Sequence, residues 1–490
     1  MSAMQKTLRT FFILGLMFQG FGGSPTDAQP PLPVGQREYD IIYDRLEHDE
    51  VLSRSRFDFQ LGPYTRVDSS HTAGPFDNRR NLGPTQFQIF GFAAESFKST
   101  PDARGRMYAL GRAGAVGQPF NHLSVMGQFY LDERKAHDPN YAGKKWRGFA
   151  GDIDLAFVHY SSNRFDFTVG RFSSFWGVRR SLVLGSSAHL DGFGYTLNWG
   201  KLSISYRFAK LGDRMTGTDT LSQWPNRYFA AHRFDVQVSD AVRVGLFESV
   251  VFGGPGRSPD VFYLNPIIFY HGTQLNENVD DNTFVGVDFT YKPTNGLKLY
   301  GQLLIDDIQL DKKSRGDHEP AQYGLITGLY TASGSRGFDT RTEYTRVTDW
   351  TFNQILPRNR YTDHDGPIGD ASGNDYDRLT FDLIRWLKRE MSGTLRLSYL
   401  RRGEGRINAP WTSPWLNSPD YHQPFPSGVV EKTASVALGV KGFATPALFA
   451  ECQAGVSRVV NYNHHAGDNR TLPFIDCYIS VYLSHILNLD

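Results

Sequence analysis

The sequence predicts an all-β protein, a transmembrane antiparallel β-barrel of about 18 strands with long extracellular loops and a short periplasmic N-terminal segment. Three observations carry this prediction. Apolar and polar residues alternate with period two over many short segments, and from Gly151 onward the connections are alternately short and long. Aromatic residues make up 14% of the chain, yet the mean hydropathy is −0.41. Strands with one lipid-facing and one polar face explain this combination.

The N-terminus has the three-part layout of a secretory signal. Lys6 and Arg9 precede an apolar stretch, and small and polar residues follow it as far as Ala28. The apolar stretch is shorter than the roughly 20 residues that a membrane-spanning helix needs. We therefore predict a signal peptide at 1–28, a periplasmic N-terminal segment at 29–53 and an outer-membrane β-barrel at 54–490, with export to the outer membrane of a diderm bacterium.

Individual hairpins follow from the alternation. Ile153, Leu155 and Phe157 form one apolar series, which turns at residues 161–163 and continues in the next strand. Before Gly151 the phase is broken, so one N-terminal segment is expected to be a plug or an irregular strand. A soluble β-propeller or sandwich is the alternative, but neither calls for long connections on one side only.

Charge and motifs exclude several functions. Lys and Arg number 52 and Asp and Glu 51, a net charge of +1, so no strong field points to nucleic acid. The sequence lacks a nucleophile elbow, a phosphate loop and a zinc-protease helix. His464-His465 is not a matched set of metal ligands. We expect no catalysis, cofactor or metal.

The chain has two cysteines, Cys452 and Cys477. Both lie on the apolar phase of segments that look like neighbouring strands. They are either two inert thiols or one cross-strand disulfide, and the sequence leaves both open.

An ordered set of short motifs resembles the capsule-assembly outer-membrane proteins of the Wzi type. The motifs are Gly170-Arg171, Phe175-Trp176-Gly177, the run 182–188, Arg227-Tyr228, His232-Arg233, 263–266, Asp281-Asn282, 286–288, 301–307 and 343–345. The resemblance implies an 18-stranded outer-membrane lectin that holds capsular polysaccharide. Enterobacterial members carry a periplasmic helical bundle before the barrel, whereas here only 36–52 looks helical.

A polysaccharide site needs aromatic faces, hydrogen-bonding groups and, for acidic sugars, cations. The candidate carbohydrate-binding residues are Arg402, Arg406, Trp411, Trp415, Tyr421 and His422 in the connection 402–429, together with Arg179 and Arg180. The alternative for the aromatic residues is packing of the loop itself. The alternative for Arg179 and Arg180 is pairing with carboxylates at the rim.

The leading hypothesis is a non-catalytic outer-membrane protein that binds capsular or extracellular polysaccharide and helps to assemble or anchor it, with outer-membrane lipid as its other partner. A porin-like channel for small solutes is the first alternative, because a barrel of this size can enclose an aqueous lumen. An outer-membrane enzyme is the second, although no Ser or His with an orienting carboxylate stands out.

Overall fold

A computed structural model of the chain describes residues 36–53, 86–100, 103–138, 141, 143–178, 180–185, 189–212, 225–277, 279–308, 318–334, 337–364, 366–418 and 421–488. The predicted signal peptide and Arg179 lie outside the described residues. The domain boundaries at 28 and 53 therefore stay predictions.

The described chain is made mostly of β-strands. The strands are β1 (Gln86–Thr100), β2 (Ala103–Phe120), β3 (Leu123–Asp132), β4 (Lys145–Trp146), β5 (Phe149–Ser161), β6 (Phe165–Ser173), β7 (His189–Trp199), β8 (Leu202–Leu211), β9 (Pro225–Gln237), β10 (Val242–Pro255), β11 (Asn282–Tyr291), β12 (Leu297–Asp307), β13 (Gln322–Thr331), β14 (Asp339–Val347), β15 (Thr362–Asp363), β16 (Gly366–Pro367), β17 (Tyr376–Lys388), β18 (Met391–Arg402), β19 (Glu431–Thr445), β20 (Leu448–Val460) and β21 (Asn469–Asn488). The helices are α1 (Arg37–Ser53), α2 (Glu133–Ala136) and α3 (Tyr270–Glu277), with 3-10 turns at Pro357–Asn359, Pro414–Leu416 and Tyr462–His464.

Eighteen of these strands form one closed antiparallel barrel. Each pairs with the next barrel strand along the chain, and β1 pairs with both β2 and β21, which closes the ring. The 19-stranded sheet consists of these eighteen strands and β4, which adds a short ladder to β5. The predicted fold class and strand number are confirmed. Within the described ranges, no helix is long and apolar enough to cross a bilayer.

The connections divide the barrel into two rims. Tight turns such as Gly200-Lys201 between β7 and β8 lie at one rim, and long connections such as 348–375 and 403–430 lie at the other. β1 and β2 are the exception, because Thr100 pairs with Ala103 at the rim of the long connections. By the usual asymmetry of outer-membrane barrels, the first rim is periplasmic and the second is extracellular.

Side chains alternate between the lumen and the outer surface. On β21, Tyr478 and Tyr482 face inward and are buried, whereas Ile479 and Leu483 are exposed on the outside. This is the pattern of strands that face lipid. One detail of the sequence prediction is wrong, because the ladder of β5 with β3 shifts between Ile153 and Leu155, where Asp154 is an extra residue. This bulge leaves Ile153 outside and turns Leu155 inward.

The helix α1 confirms the predicted helical stretch and lies inside the barrel. Tyr39, Ile41 and Leu46 are buried among inward-facing side chains of the strands. At its C-terminal end, the amide of Gly296 in the turn between β11 and β12 donates to the carbonyl oxygen of Val51 at 2.9 Å. This contact places the end of α1 at the periplasmic rim.

Ion pairs fix α1 to the barrel wall. Lys298 Nζ donates to Glu47 at 3.2 Å, and His48 Nδ1 lies 2.7 Å from the carboxylate of Asp339. Both pairs are buried. Because a buried charge needs a partner, the helix and the wall depend on each other.

The connection between β6 and β7 enters the lumen from the opposite rim. Phe175, Trp176 and Leu182 are buried there, and the ring of Phe175 meets that of Tyr43 on α1 edge-on, with centroids 5.9 Å apart. The two segments thus meet and fill part of the lumen.

A closed polar network holds this connection against the wall. We call Arg233, Asp235, Asp288 and Gln302 the luminal network. Arg233 donates to Asp235 at 2.6 Å and to Asp288 at 2.9 Å, and the amide of Leu182 donates to Gln302 Oε1 at 2.7 Å. The approach is close, because a Cβ on Gly177 would lie 2.6 Å from Asp288 Oδ2. Several residues of the motifs that resemble the Wzi type therefore pack the lumen.

Candidate functional site

Three indole rings form a cluster at the extracellular rim. The ring of Trp350, in the connection between β14 and β17, lies 4.9 Å from Trp411 and 5.6 Å from Trp415, and the last two are 6.0 Å apart. Tyr421 adds a fourth ring, 6.4 Å from Trp415. The three indole rings meet one another in the edge-to-face geometry that aromatic side chains favour. We call Trp350, Trp411, Trp415 and Tyr421 the aromatic cluster.

Local features of the connection 403–430 position these rings. Trp415 lies in the 3-10 turn Pro414–Leu416, where proline fixes the backbone angle at the start of the turn. Trp411 Nε1 donates to Ser413 Oγ at 3.1 Å. Trp350 adopts a φ of 68°, a left-handed conformation that is uncommon for a tryptophan. The surrounding contacts, rather than local preference, must hold it there.

Burial separates two roles within the aromatic cluster. Trp415 is 2% exposed and Trp350 is 8% exposed, so these two rings form the buried floor of the aromatic cluster. Trp411 and Tyr421 are partly exposed and His422 is exposed. Trp415 therefore packs the connection, whereas Trp411 and Tyr421 offer accessible ring surface.

Two carboxylates lie beneath the rings. Asp375 is fully buried and accepts hydrogen bonds from the amides of Gly405 at 2.8 Å and Ser427 at 3.0 Å. Asp349 accepts from Gln423 Nε2 at 2.9 Å. Burial and the negative charge of Asp375 raise the pKa of Asp349 to about 6, although the amide of Trp350 opposes the shift. Asp349 is therefore ionised at neutral pH and protonated under mildly acidic conditions.

The predicted arginines of this connection hold the extracellular loops together. Arg402 donates to the carbonyl oxygen of Ser372 at 3.1 Å. Arg406 is exposed, donates to the carbonyl oxygen of Gly403 at 2.7 Å and lies 2.9 Å from His464 Nε2. His464 belongs to the connection between β20 and β21, so Arg406 joins two loops. In the described chain, no three His, Cys, Asp or Glu side chains gather as a metal cluster would require.

Arg180 lies elsewhere. It lines a luminal cavity of about 340 Å³ between α1 and the strands from β13 to β20, together with Arg341, Glu343 and Lys441. Its guanidinium is 3.9 Å from Glu343, a carboxylate of the wall. The sequence analysis grouped Arg180 with Trp411, Trp415 and Tyr421 as candidate carbohydrate-binding residues. The structure places it in the lumen, apart from the aromatic cluster.

The sequence did not indicate Trp350, Asp349, Asp375 or Gln423 as site residues. Asp349, Trp350 and Asp375 belong to another connection, and Gln423 carries no motif. They come close to the predicted aromatic residues only in the folded barrel. An adjacent Asp349-Trp350 pair in a long extracellular connection is the signal that could have found the first two.

The cysteines occupy neighbouring strands as expected. Cys452 on β20 is directly opposite Cys477 on β21, and both thiols are free. A disulfide between them stays a prediction.

The closed barrel with its apolar outer surface and its extracellular loops defines the class of outer-membrane β-barrels. The sequence model of the capsule assembly protein Wzi family matches residues 127–473, more than half of the chain, and the chain belongs to this family. The predicted resemblance and outer-membrane localisation are confirmed. None of the curated proteins matches the chain.

The chain is similar to several solved structures at low sequence identity. Wzi of Escherichia coli, described as an outer-membrane protein involved in group 1 capsule assembly and as a carbohydrate-binding β-barrel, is 13% identical, with 93% of this chain and 99% of that chain covered and a TM-score of 0.58. OccAB1 of Acinetobacter baumannii is 10% identical, with coverage of 82% and 98% and a TM-score of 0.47. OpdK of Pseudomonas aeruginosa is 10% identical, with coverage of 81% and 99% and a TM-score of 0.46.

Proposed function

We propose that this protein binds surface polysaccharide at its extracellular rim and helps to assemble or anchor capsule or exopolysaccharide, without catalysing a reaction. The observation that carries the proposal is the aromatic cluster, in which Trp411 and Tyr421 keep exposed ring surface above a buried floor. Membership of the capsule assembly family and the carbohydrate binding described for the Escherichia coli protein support it.

The chemistry of the cluster suits a sugar chain. Sugar rings have apolar faces that pack against the flat faces of indole and phenol rings. Sugar hydroxyls can accept hydrogen bonds from an exposed guanidinium such as that of Arg406, and these charge-assisted bonds are the stronger ones. Rigid rings on a floor that is already packed lose little conformational freedom on binding.

The contents of the lumen favour binding over transport. The helix α1 and the connection 174–185 meet inside the barrel through Tyr43 and Phe175. A wide aqueous path along the described lumen would require these segments to move, at the cost of buried ion pairs such as Lys298 with Glu47. We therefore rank a porin-like channel below a polysaccharide-binding protein.

The deciding experiment measures binding of the detergent-solubilised protein to the surface polysaccharide of its own producing strain. We expect saturable binding by the wild type and about a tenfold loss of affinity in Trp411→Ala, the size of effect expected for one lost aromatic contact. Trp415 is not substituted, because its burial would confound the result with loss of loop packing.

Trp146→Ala is the matched control. Trp146 is 60% exposed in a different extracellular connection, so its removal should leave the affinity unchanged. Equal losses in both variants would mean that any exposed indole contributes and that the aromatic cluster is not the site. No binding by the wild type, combined with steady open conductance in a planar bilayer, would instead support the channel.

A further inference from the structure

The outer surface of the barrel carries two ionisable side chains where lipid is expected. His232 on β9 is directly opposite Glu248 on β10, with 3.3 Å between His232 Nε2 and the carboxylate. Their chain neighbours Arg233 and Phe247 face the lumen. Because side chains alternate along a strand, His232 and Glu248 face outward.

Their height along the barrel places them within the membrane. Glu248 follows Val242, at the periplasmic end of β10, by six residues. At about 3.3 Å per residue and a strand tilt of about 40°, Glu248 lies about 15 Å above that end, inside an apolar band about 25 Å tall. An uncovered carboxylate at this depth would be costly.

The connection 256–281 covers both side chains. Instead of extending away from the rim, it folds back over the outer face of β8 to β11 and contains α3. The amides of Tyr270 and His271 donate to the Glu248 carboxylate at 2.8 and 2.7 Å, and the ring of Tyr270 lies 4.4 Å from that of His232. Glu248 thus caps α3 and is itself shielded.

Further contacts fix this connection to the strands. Tyr206, an outward residue of β8, is fully buried and donates through its hydroxyl to the carbonyl oxygen of Tyr263 at 2.9 Å. The hydroxyl of Tyr263 donates to Asp281 at 2.8 Å, and Arg257 pairs with the same carboxylate. These polar groups of the connection are therefore satisfied by the connection itself or by the strands.

The connection exposes four large apolar side chains, alongside polar residues such as Asn265 and Glu277. Val261, Ile267, Phe269 and Leu275 are 80%, 77%, 59% and 67% exposed, respectively. Below them the exposed apolar residues of the strands continue, including Leu246 on β10. We call the described residues 256–277 and 279–281 of this connection the collar and these four side chains its crest.

We propose that the collar is embedded in the outer leaflet, where its crest contacts lipid acyl chains and its inner side shields His232 and Glu248. Two observations select lipid as the occupant. The crest is continuous with the lipid-facing surface of the strands, and it lies over residues at membrane depth. Irregular backbone at this depth is tolerated where its polar groups are satisfied within protein. The inference does not depend on polysaccharide binding.

Spin-label accessibility tests the proposal. In a Cys452→Ser, Cys477→Ser background, single cysteines are introduced as Phe269→Cys and Leu275→Cys, labelled with a nitroxide and reconstituted in dimyristoylphosphatidylcholine nanodiscs. Both sites are exposed, so the labels remove little packing. We expect greater accessibility to oxygen, which partitions into acyl chains, than to a water-soluble nickel chelate.

Two matched sites calibrate the measurement. Leu438→Cys on the outer face of β19 is the lipid reference and Ile355→Cys in the extracellular connection 348–361 is the aqueous reference, with 66% and 63% exposure in the wild type. Collar labels that behave like Ile355 would overturn the proposal, because the collar would then stand in water. Labels inaccessible to both reagents, with dipolar broadening between protomers, would overturn it in favour of contact with a second copy.

Discussion

The luminal network and the extracellular site use similar residues but differ in how completely these are paired. In the luminal network, Arg233 and Asp288 are fully buried, and the guanidinium forms hydrogen bonds with two carboxylates. At the extracellular rim, Asp349 has a raised pKa, Arg406 is exposed and the rings of Trp411 and Tyr421 are partly exposed.

This difference separates structural from binding roles. A network whose donors and acceptors all meet each other inside protein has no capacity left for a ligand, and it braces the fold. A site that keeps exposed ring surface and an exposed guanidinium can still gain contacts. The two regions should therefore respond differently to mutation, the first through global stability and the second through local order and binding.

The largest effect is expected for Arg233→Met. The substitution keeps an unbranched apolar chain but leaves Asp235 and Asp288 buried without their cation, which should lower the free energy of unfolding by about 3–5 kcal/mol. Denaturant unfolding followed by heat-modifiable migration on gels measures this loss. Arg164→Met, the same change at an exposed position in the turn between β5 and β6, is the control. Equal stability of the two variants would contradict the structural role of the luminal network.

A smaller and local effect is expected for Asp375→Ala. The amides of Gly405 and Ser427 would lose their acceptor, and a buried donor left unpaired costs about 1–3 kcal/mol. Because both amides belong to the connection 403–430, this loop should be cleaved faster by protease while global unfolding stays close to that of the wild type. A global loss as large as that of Arg233→Met would remove the distinction between the two regions.

The sequence predicted the barrel well because strand periodicity is local. The alternation and the short turns identify hairpins without knowledge of distant residues. The closed barrel pairs these strands in the order of the chain. The bulge at Asp154 was missed, because one inserted residue changes the facing of a strand without changing its composition. The helix α1 was predicted, but its place in the lumen depends on partners far along the chain, such as Asp339 for His48.

The candidate site was predicted in part for the same reason. Trp411, Trp415 and Tyr421 lie in one connection and could be grouped by proximity in sequence. Trp350 packs against them from another connection, whereas Arg180 lies in the lumen. Loop conformation decides both positions. Separating Trp415, which packs the loop, from Trp411, which keeps exposed surface, requires burial, and composition does not encode it.

The smallest expected effect is a pH dependence that belongs to the extracellular site alone. Asp349 has a folded-state pKa of about 6, above its usual value of 3.8. The folded loop therefore binds the proton more tightly than the unfolded loop. The stabilisation from this proton is complete below pH 3.8 and is lost as the pH rises through about 6.

Tryptophan fluorescence of the wild type should accordingly show a transition centred near pH 6, because Asp349 accepts the amide of Trp350 within the aromatic cluster. Asp349→Asn removes the titrating group and should remove the transition, while Arg233→Met should retain it wherever that variant still folds. A transition that persists in Asp349→Asn would assign the titration to another group. The extracellular site would then be no more responsive to protons than the luminal network. The contrast between the two regions would rest on ring exposure alone.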